Sequence, residues 1–99
     1  MSEAQVAAEA FAERLISSDS VREQYWVDSA RAVAAAVYLL ADRHEDEARA
    51  LLRTAGEPLV ARMCKSKLPS IALVGLQLQV KSERERASIL AMLATVASL

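Results

Sequence analysis

The side chains that could do chemistry in this chain are few, and the first candidates are a thiol and an imidazole. The sequence has one cysteine, Cys64, and one histidine, His44. A catalytic thiolate needs a base close by, yet His44 lies in a charged segment that favours exposure. Cys64 follows Met63 in a helical pattern, where a small packing residue is expected. A lone cysteine forms no internal disulfide and is typical of a reducing compartment.

Paired carboxylates could act as an acid and a base, and the sequence offers Glu9 with Glu13 and Glu45 with Asp46. Carboxylates on a helix surface are usually just solvated. Two glycines cannot form a G-x-x-x-x-G-K-[ST] phosphate loop, and one histidine with one cysteine cannot supply the ligands of a dedicated zinc site. We therefore predict no catalytic residue, cofactor, metal or small-molecule substrate, and we predict that the chain is not an enzyme.

Basic side chains near the carboxyl end are candidates for contact with nucleic acid. Residues 1–61 hold six basic and eleven acidic side chains, whereas residues 62–99 hold six basic and two acidic ones. If the fourth and sixth helices lie side by side, the basic residues form one patch for a phosphate backbone. A solvated face is the alternative, because Glu83 and Glu85 interleave with the cations. The nucleic-acid-binding candidates are Arg62, Lys65, Lys67, Lys81, Arg84 and Arg86.

The segment from residue 25 to residue 31 offers candidates for a protein contact. Trp26 falls on an apolar stripe and is predicted to anchor the core, because burial of a tryptophan removes a large apolar area from water. Tyr25 lies off that stripe and is available to a partner, as is Arg31. Asp28 and Arg31 are otherwise expected to form an i, i+3 surface pair worth a few tenths of a kcal/mol.

Helices must position these side chains, because the chain lacks the turn residues of a strand-rich fold. It contains two glycines and two prolines in 99 residues, whereas sandwiches need turn signals every 8 to 12 residues or so. Apolar residues make up 54% and aromatic residues 4%, so alanine and aliphatic side chains must build the core. The sequence predicts an all-α fold, a compact bundle of about five to seven helices in one domain that spans residues 1–99.

Capping boxes predict where three of the helices begin, and they occur at Ser2–Gln5, Ser20–Glu23 and Ser82–Glu85. The first helix should run to about residue 16 and bury Val6, Ala7, Ala10, Phe11 and Leu15. The second, over 21–41, should be the central helix, with one stripe at 3.6 periodicity that comprises Trp26, Ala30, Val33, Val37 and Leu40. The last helix should place on one face Ile89, Met92, Leu93 and Val96.

The middle of the chain is predicted to contain shorter helices. The charged break at 42–47 precedes a helix that should stop at Gly56, acting as its C′ residue. Pro58 then suits the first position of the next helix, whose inward side chains are Leu59, Val60 and Met63. Pro69 ends that helix or begins another element. Residues 76–80 alternate like a strand, but no partner strand exists, so the interpretation for 71–80 is a short helix plus an extended linker.

The apolar runs of this sequence are short. The longest, over 32–41, has ten residues, whereas a membrane span needs about 20. The amino terminus lacks the basic and apolar regions of a signal peptide. The carboxyl end falls inside an apolar helical pattern, from which we expect a domain cut from a longer protein.

Two segments together resemble the all-α domain of type IV secretion coupling proteins, the TraD/TraG-like ATPases of conjugation. An Ala-Phe-Ala and Leu-Ile pattern at 10–16 precedes a polar break and the segment Tyr25-Trp26-Val27-Asp28-Ser29-Ala30-Arg31, which is similar to a "FW…SAR" helix of that family. The family's last helix, with its "S-x-x-x-x-x-S-I-x-x-x-L" pattern, is matched from Ser82 through Ser88-Ile89 to Leu93. The resemblance covers residues 8–99.

The resemblance implies that the chain is one part of a larger machine. Its parent would be a hexameric, DNA-pumping ATPase anchored in the bacterial inner membrane, with this domain on the cytoplasmic face. The domain would recognise the relaxase or another relaxosome protein, and possible contact with DNA would involve the phosphate backbone. ATP hydrolysis would belong to segments with Walker motifs, which this chain lacks, and the isolated domain should be a monomer.

Two other classes of protein remain open from the sequence. One is a free-standing helical DNA-binding regulator, in which residues 82–98 form a recognition helix with Arg84 and Arg86 at its start. The other is a helical scaffold for protein interaction. Walker A and B segments in the same open reading frame would separate the coupling-protein hypothesis from both.

Overall fold

The computed structural model describes residues 2–16 and 24–99, and these form six helices. The all-α prediction is confirmed, and the described part of the chain contains no strand. The chain forms one globule with principal extents of 30 × 26 × 24 Å. The helices are α1 (Glu3–Leu15), α2 (Gln24–Leu40), α3 (Glu45–Arg53), α4 (Glu57–Cys64), α5 (Pro69–Val80) and α6 (Glu83–Ala97).

Helix α1 begins where the capping pattern predicts, but its buried face differs from the prediction. The Ser2 hydroxyl accepts a hydrogen bond from the Gln5 backbone N–H at 3.1 Å. Val6 is 53% exposed, and Ala7 and Ala10 are only partly buried, because the contact face of α1 is rotated toward the residues Ala8, Phe11, Ala12 and Leu15. The capping pattern at 20–23 and the predicted start of α2 at residue 21 lie outside the described residues.

Helix α2 is the central helix, as predicted, and packs against each of the other five. Its stripe residues Ala30, Val33 and Val37 are buried, while Trp26 and Leu40 lie at the edge of the core and are partly buried. The buried aromatic side chain is instead Phe11 of α1, which is 1% exposed. Phe11 stacks on Tyr38 of α2 with ring centroids 4.9 Å apart, so this pair holds α1 on α2.

A break follows α2 as predicted, but it is shorter than 42–47, because α3 already begins at Glu45. The break is a left-handed turn. Asp42 and Arg43 have φ values of 54° and 63°, a region that non-glycine residues rarely adopt and that asparagine and aspartate tolerate best. The Arg43 N–H donates to the Tyr38 carbonyl at 2.9 Å and the Asp42 N–H donates to the Leu39 carbonyl at 3.0 Å. This is the Schellman pattern, which stops α2 and sends the chain into α3.

The predicted role of Gly56 is wrong, because this residue is the N-cap of α4 and not the C′ residue of α3. Helix α3 ends at Arg53 and its C-cap is Thr54. The Gly56 carbonyl accepts the N–H groups of Leu59 and Val60 at 3.1 and 3.2 Å, so Gly56 already belongs to the first turn of α4. Pro58 consequently stands one position later than predicted, since Glu57 is the first residue of that helix.

Residues 71–80 form one continuous helix, so the prediction of a short helix and an extended linker is wrong. Pro69 begins α5, which runs without interruption to Val80. The alternation at 76–80 is misleading, because Leu78 is buried while Leu76 and Val80 are exposed. A helix satisfies its own backbone hydrogen bonds, whereas a lone strand leaves them unpaired. Leucine, glutamine and alanine also favour the helix.

Helix α6 begins where the capping pattern predicts, and its predicted apolar face points inward. The Ser82 hydroxyl accepts a hydrogen bond from the Glu85 N–H at 3.1 Å, and α6 packs chiefly on α3 and α2. Ile89 and Leu93 are buried, with Met92 and Val96 partly buried beside them. Among the described helices, none combines the length and the apolar character of a membrane span.

Candidate functional site

The Cys64 thiol and the His44 imidazole, the first candidates from the sequence, both lie at the ends of helices. Cys64, at the end of α4, is partly buried where α4 meets Gly75 of α5. His44 precedes α3 and is exposed, and its Nδ1 lies 3.1 Å from the Ala41 carbonyl oxygen. Over residues 2–16 and 24–99, no three His, Cys, Asp or Glu side chains are grouped so that they could hold a metal ion.

Arginine side chains donate hydrogen bonds to backbone carbonyls at the carboxyl ends of α1, α6 and α5. Arg31 Nε donates to the carbonyl of Ile16 at the end of α1 at 2.9 Å, and Arg53 Nε donates to the carbonyl of Ala97 at the end of α6 at 3.2 Å. Cations at these positions satisfy free carbonyls and interact favourably with the helix dipole. Arg31, predicted as a partner contact and as half of a surface pair, therefore points to α1. Asp28 instead accepts a hydrogen bond from Gln24.

Arg86, a predicted nucleic-acid contact, holds the junction of α5 and α6. Its Nη1 donates to the Lys81 carbonyl at 3.2 Å and lies 3.5 Å from the carbonyl oxygens of Leu78 and Gln79. Its Nε donates to Glu57 Oε1 at 2.8 Å. The Arg86 side chain is only 15% exposed, so most of the guanidinium is already used within the fold.

Substitution of Arg86 by glutamine is expected to lower the free energy of unfolding by about 1 kcal/mol, because the carbonyls at the end of α5 lose a charged donor. Arg84→Gln is the matched control on the same helix, since Arg84 is exposed. Glu57→Gln should cost less than about 0.5 kcal/mol, because the Glu57 side chain is 65% exposed. Urea unfolding followed by circular dichroism measures all three, and equal stability of the Arg86 and Arg84 variants would contradict the assignment.

Lys81 and Tyr25, candidates for two different partners, contact each other. Lys81 Nζ donates to the Tyr25 hydroxyl at 2.7 Å, and that hydroxyl donates to Glu85 Oε2 at 3.1 Å. Tyr25 is exposed, as its position off the stripe predicted. Its hydroxyl nevertheless joins the first turn of α2 to the start of α6, and Lys81 Nζ also lies 4.9 Å from the centroid of its ring, so part of this side chain is already engaged within the fold.

The four remaining basic candidates are exposed, and no described contact joins them into one patch. Helix α4 packs chiefly on α5, whereas α6 packs chiefly on α3 and α2, and the described link between α4 and α6 is the Glu57–Arg86 ion pair in their first turns. Arg62 and the acidic Glu47 of α3 line the same depression. The exposed set comprises Arg62, Lys65, Lys67 and Arg84.

A groove of about 370 Å³ is bounded by α1, α2 and α5. It is open along one side, and α2 contributes residues from Asp28 to Leu39, which at 1.5 Å per residue makes it roughly 16 Å long. A second depression of about 340 Å³ shares Ala32 and Val74 with it and continues to Lys81. We call the larger one the α2–α5 groove, and its apolar lining is Ala12, Ala32, Ala35, Ala36, Leu39, Leu73 and Val74.

Acidic side chains stand around the α2–α5 groove. Glu9, Glu13 and Asp28 line it, and neither of the two ion pairs within the described residues, Arg14–Glu45 and Arg86–Glu57, neutralises them. Arg31 also lines the groove but is bonded to the carboxyl end of α1. The groove is thus an apolar surface with a net negative border.

The outward face of α5 extends this apolar surface. Leu73, Leu76 and Val80 recur at i, i+3 and i+7, and they are 56%, 51% and 84% exposed. A contiguous exposed apolar patch is a candidate interaction site on a folded protein. The sequence carried a signal for it, because α5 has no charged residue between Pro69 and Val80 and its leucines cannot all face inward. The strand-like interpretation of 76–80 concealed that signal.

In comparisons with models of protein families, with curated proteins and with solved structures, no match to this chain was found.

Proposed function

We propose that this chain is a recognition domain that binds the relaxase or another relaxosome protein for a conjugative type IV secretion coupling protein. The observation that carries the proposal is the exposed apolar surface formed by the α2–α5 groove and the outer face of α5. The resemblance of the 25–31 and 82–93 segments to the all-α domain of that family supports the biological setting. In this proposal the domain binds its partner and catalyses nothing.

We favour protein binding over DNA binding because some of the basic side chains are engaged within the fold and because the apolar surface has an acidic border. Two of the six basic candidates, Lys81 and Arg86, already have partners within the fold. The apolar surface has an acidic border, which repels a phosphate backbone. A free-standing regulator that reads DNA with α6 is also disfavoured, because Arg86 would have to leave the end of α5.

Binding of the purified domain to the relaxase encoded by the same conjugative element tests the proposal. We expect a complex with a Kd in the micromolar range, measured by isothermal titration calorimetry. Leu76→Glu places a charge on the outer face of α5 and should weaken the complex at least about tenfold, a loss of about 1.4 kcal/mol. Leu76 is half exposed, so this variant should remain folded.

Ala61→Glu provides the matched control, because Ala61 is an exposed residue of α4 away from the proposed surface. This variant should bind like the original protein. Failure of the relaxase and of accessory relaxosome proteins to bind, or equal weakening by both substitutions, would contradict the proposal.

Contact with DNA is expected to be weak and independent of sequence. Each phosphate contact with duplex DNA contributes about −0.9 to the slope of log K against log salt. Four exposed cations therefore predict a slope no steeper than about −3.6. Fluorescence anisotropy at several salt concentrations measures the slope, and the double variant Lys65→Glu, Arg84→Glu should abolish binding while the helical signal is unchanged. A steeper slope would mean that cations already engaged in the fold also reach the DNA.

A further inference from the structure

The shape of the α2–α5 groove limits what can fill it. Its floor on α2 is formed by three alanines, Ala32, Ala35 and Ala36, with Leu39 at one end. Small side chains on a floor let another backbone approach closely, and a length of roughly 16 Å corresponds to about three helical turns. Grooves with this form accept an amphipathic helix that inserts side chains at i, i+3 or i+4, and i+7.

The border of the groove limits the charge of the occupant. Glu9 and Glu13 lie on the α1 side, and Asp28 lies at the end nearer the start of α2. Among the described residues, Glu9 and Asp28 accept hydrogen bonds from the neutral amides of Gln5 and Gln24, and neither carboxylate belongs to a described ion pair. Charges at the border of an interface select the partner with opposite charges and exclude like ones.

From these two features we infer that the α2–α5 groove binds an amphipathic helix of a protein partner, with an apolar stripe that enters the groove and lysine or arginine side chains that meet Glu9, Glu13 and Asp28. The inference rests on the proposed function and deepens it, since it defines the chemistry of the partner segment. Neither an acidic helix nor a nucleic-acid strand fits, because each would bring negative charge to an acidic border.

A model peptide tests the inference without knowledge of the natural partner. The probe has about four helical turns, leucines at i, i+4, i+7 and i+11, and lysines on both sides of the stripe. A second peptide carries glutamate in place of every lysine, and a third has the lysine composition in scrambled order. We expect the first peptide to bind and the other two to bind at least about tenfold more weakly.

Backbone amide shifts in heteronuclear NMR spectra locate the bound peptide. The lysine peptide should perturb residues 9–13, 28–39 and 70–74, which border the groove. Its affinity should decrease with salt, because exposed charge pairs are screened at higher ionic strength. Shifts confined to other parts of the chain, or equal binding of the lysine and glutamate peptides, would overturn the inference.

Two sets of variants separate the apolar and the charged contributions. Ala32→Glu and Leu73→Glu alter exposed positions of the lining and should each weaken the lysine peptide at least about tenfold, whereas Ala61→Glu should have no effect. The triple variant Glu9→Gln, Glu13→Gln, Asp28→Asn should weaken the lysine peptide and remove its advantage over the glutamate peptide. An unchanged preference in the triple variant would contradict the role of the acidic border.

The outcomes for the groove and for the proposed function are distinguishable. If the lysine peptide binds in the groove but the relaxase and accessory proteins do not bind, the inference stands and the proposed function falls. If the relaxase binds and Leu73→Glu leaves its affinity unchanged, the proposed function stands and the inference is overturned. Self-association of the domain that is lost in Leu73→Glu would also overturn it, since a second copy would then occupy the groove.

Discussion

Replacement of Phe11 by alanine is expected to lower the free energy of unfolding by about 3–5 kcal/mol. The Phe11 ring is 1% exposed and stacks on Tyr38 of the central helix. Its removal both loses apolar burial and leaves a cavity that α1 and α2 cannot close without moving. Since small domains are stable by only about 5–15 kcal/mol, the variant should be marginally folded. Urea unfolding followed by circular dichroism gives the difference.

Trp26→Ala is the informative comparison for Phe11→Ala. The sequence predicts Trp26 as the anchor of the core, whereas the structure places it at the edge, partly buried and in an edge-to-face contact with Tyr25. We therefore expect Trp26→Ala to cost clearly less than Phe11→Ala. An equal or larger loss in the Trp26 variant would show that the sequence interpretation of this residue is correct.

Substitution of Gly75 by alanine is expected to lower the free energy of unfolding by about 1–3 kcal/mol, although alanine is the better helix former by about 1 kcal/mol. A Cβ at this position would lie 2.8 Å from the backbone nitrogen of Cys64 and 3.0 Å from Met63 Cβ. The closest atom belongs to the backbone, so α4 as a whole would have to move away from α5. Thermal and urea unfolding of the variant measure the loss.

Gly56→Ser is the control for Gly75→Ala. A Cβ on Gly56 would meet only Pro58 Cδ at 3.8 Å and the Thr54 carbonyl oxygen at 4.0 Å, and its φ of −169° is open to any residue. Serine is also a favoured N-cap, so this variant should be as stable as the original protein or slightly more stable. A Gly75→Ala protein with unchanged or increased stability would show that α4 and α5 separate easily.

Local interactions explain why much of the helical fold is predictable from the sequence. The caps at Ser2 and Ser82 join each hydroxyl to an N–H three residues away, and the acidic residues Glu45, Asp46 and Glu47 stand in the first turn of α3. These effects act within one helical turn, so the sequence alone reveals them. The exposure of Tyr25 was predicted in the same way, from its place beside the stripe of a single helix.

The candidate site was not predictable in this way, because its parts come from three helices that are distant in sequence. From the sequence, six cations could form one surface or a merely solvated face, yet Arg86 binds the end of α5 and Lys81 binds Tyr25 across the fold. Arg31 likewise reaches a carbonyl on another helix. The groove depends on how α5 lies against α2 and on which of its leucines remain outside.

The sequence by itself determined the helical class, the starts of α1 and α6 and the central place of α2, because capping and 3.6-residue periodicity operate over neighbouring residues. Only the tertiary structure decided which aromatic ring is buried, which arginines close helix ends, and that α5 is one helix with an exposed apolar face. The physical reason is that burial and long-range hydrogen bonds depend on which faces of the helices pack together. That packing is set by residues distant in sequence and cannot be read from any one helix.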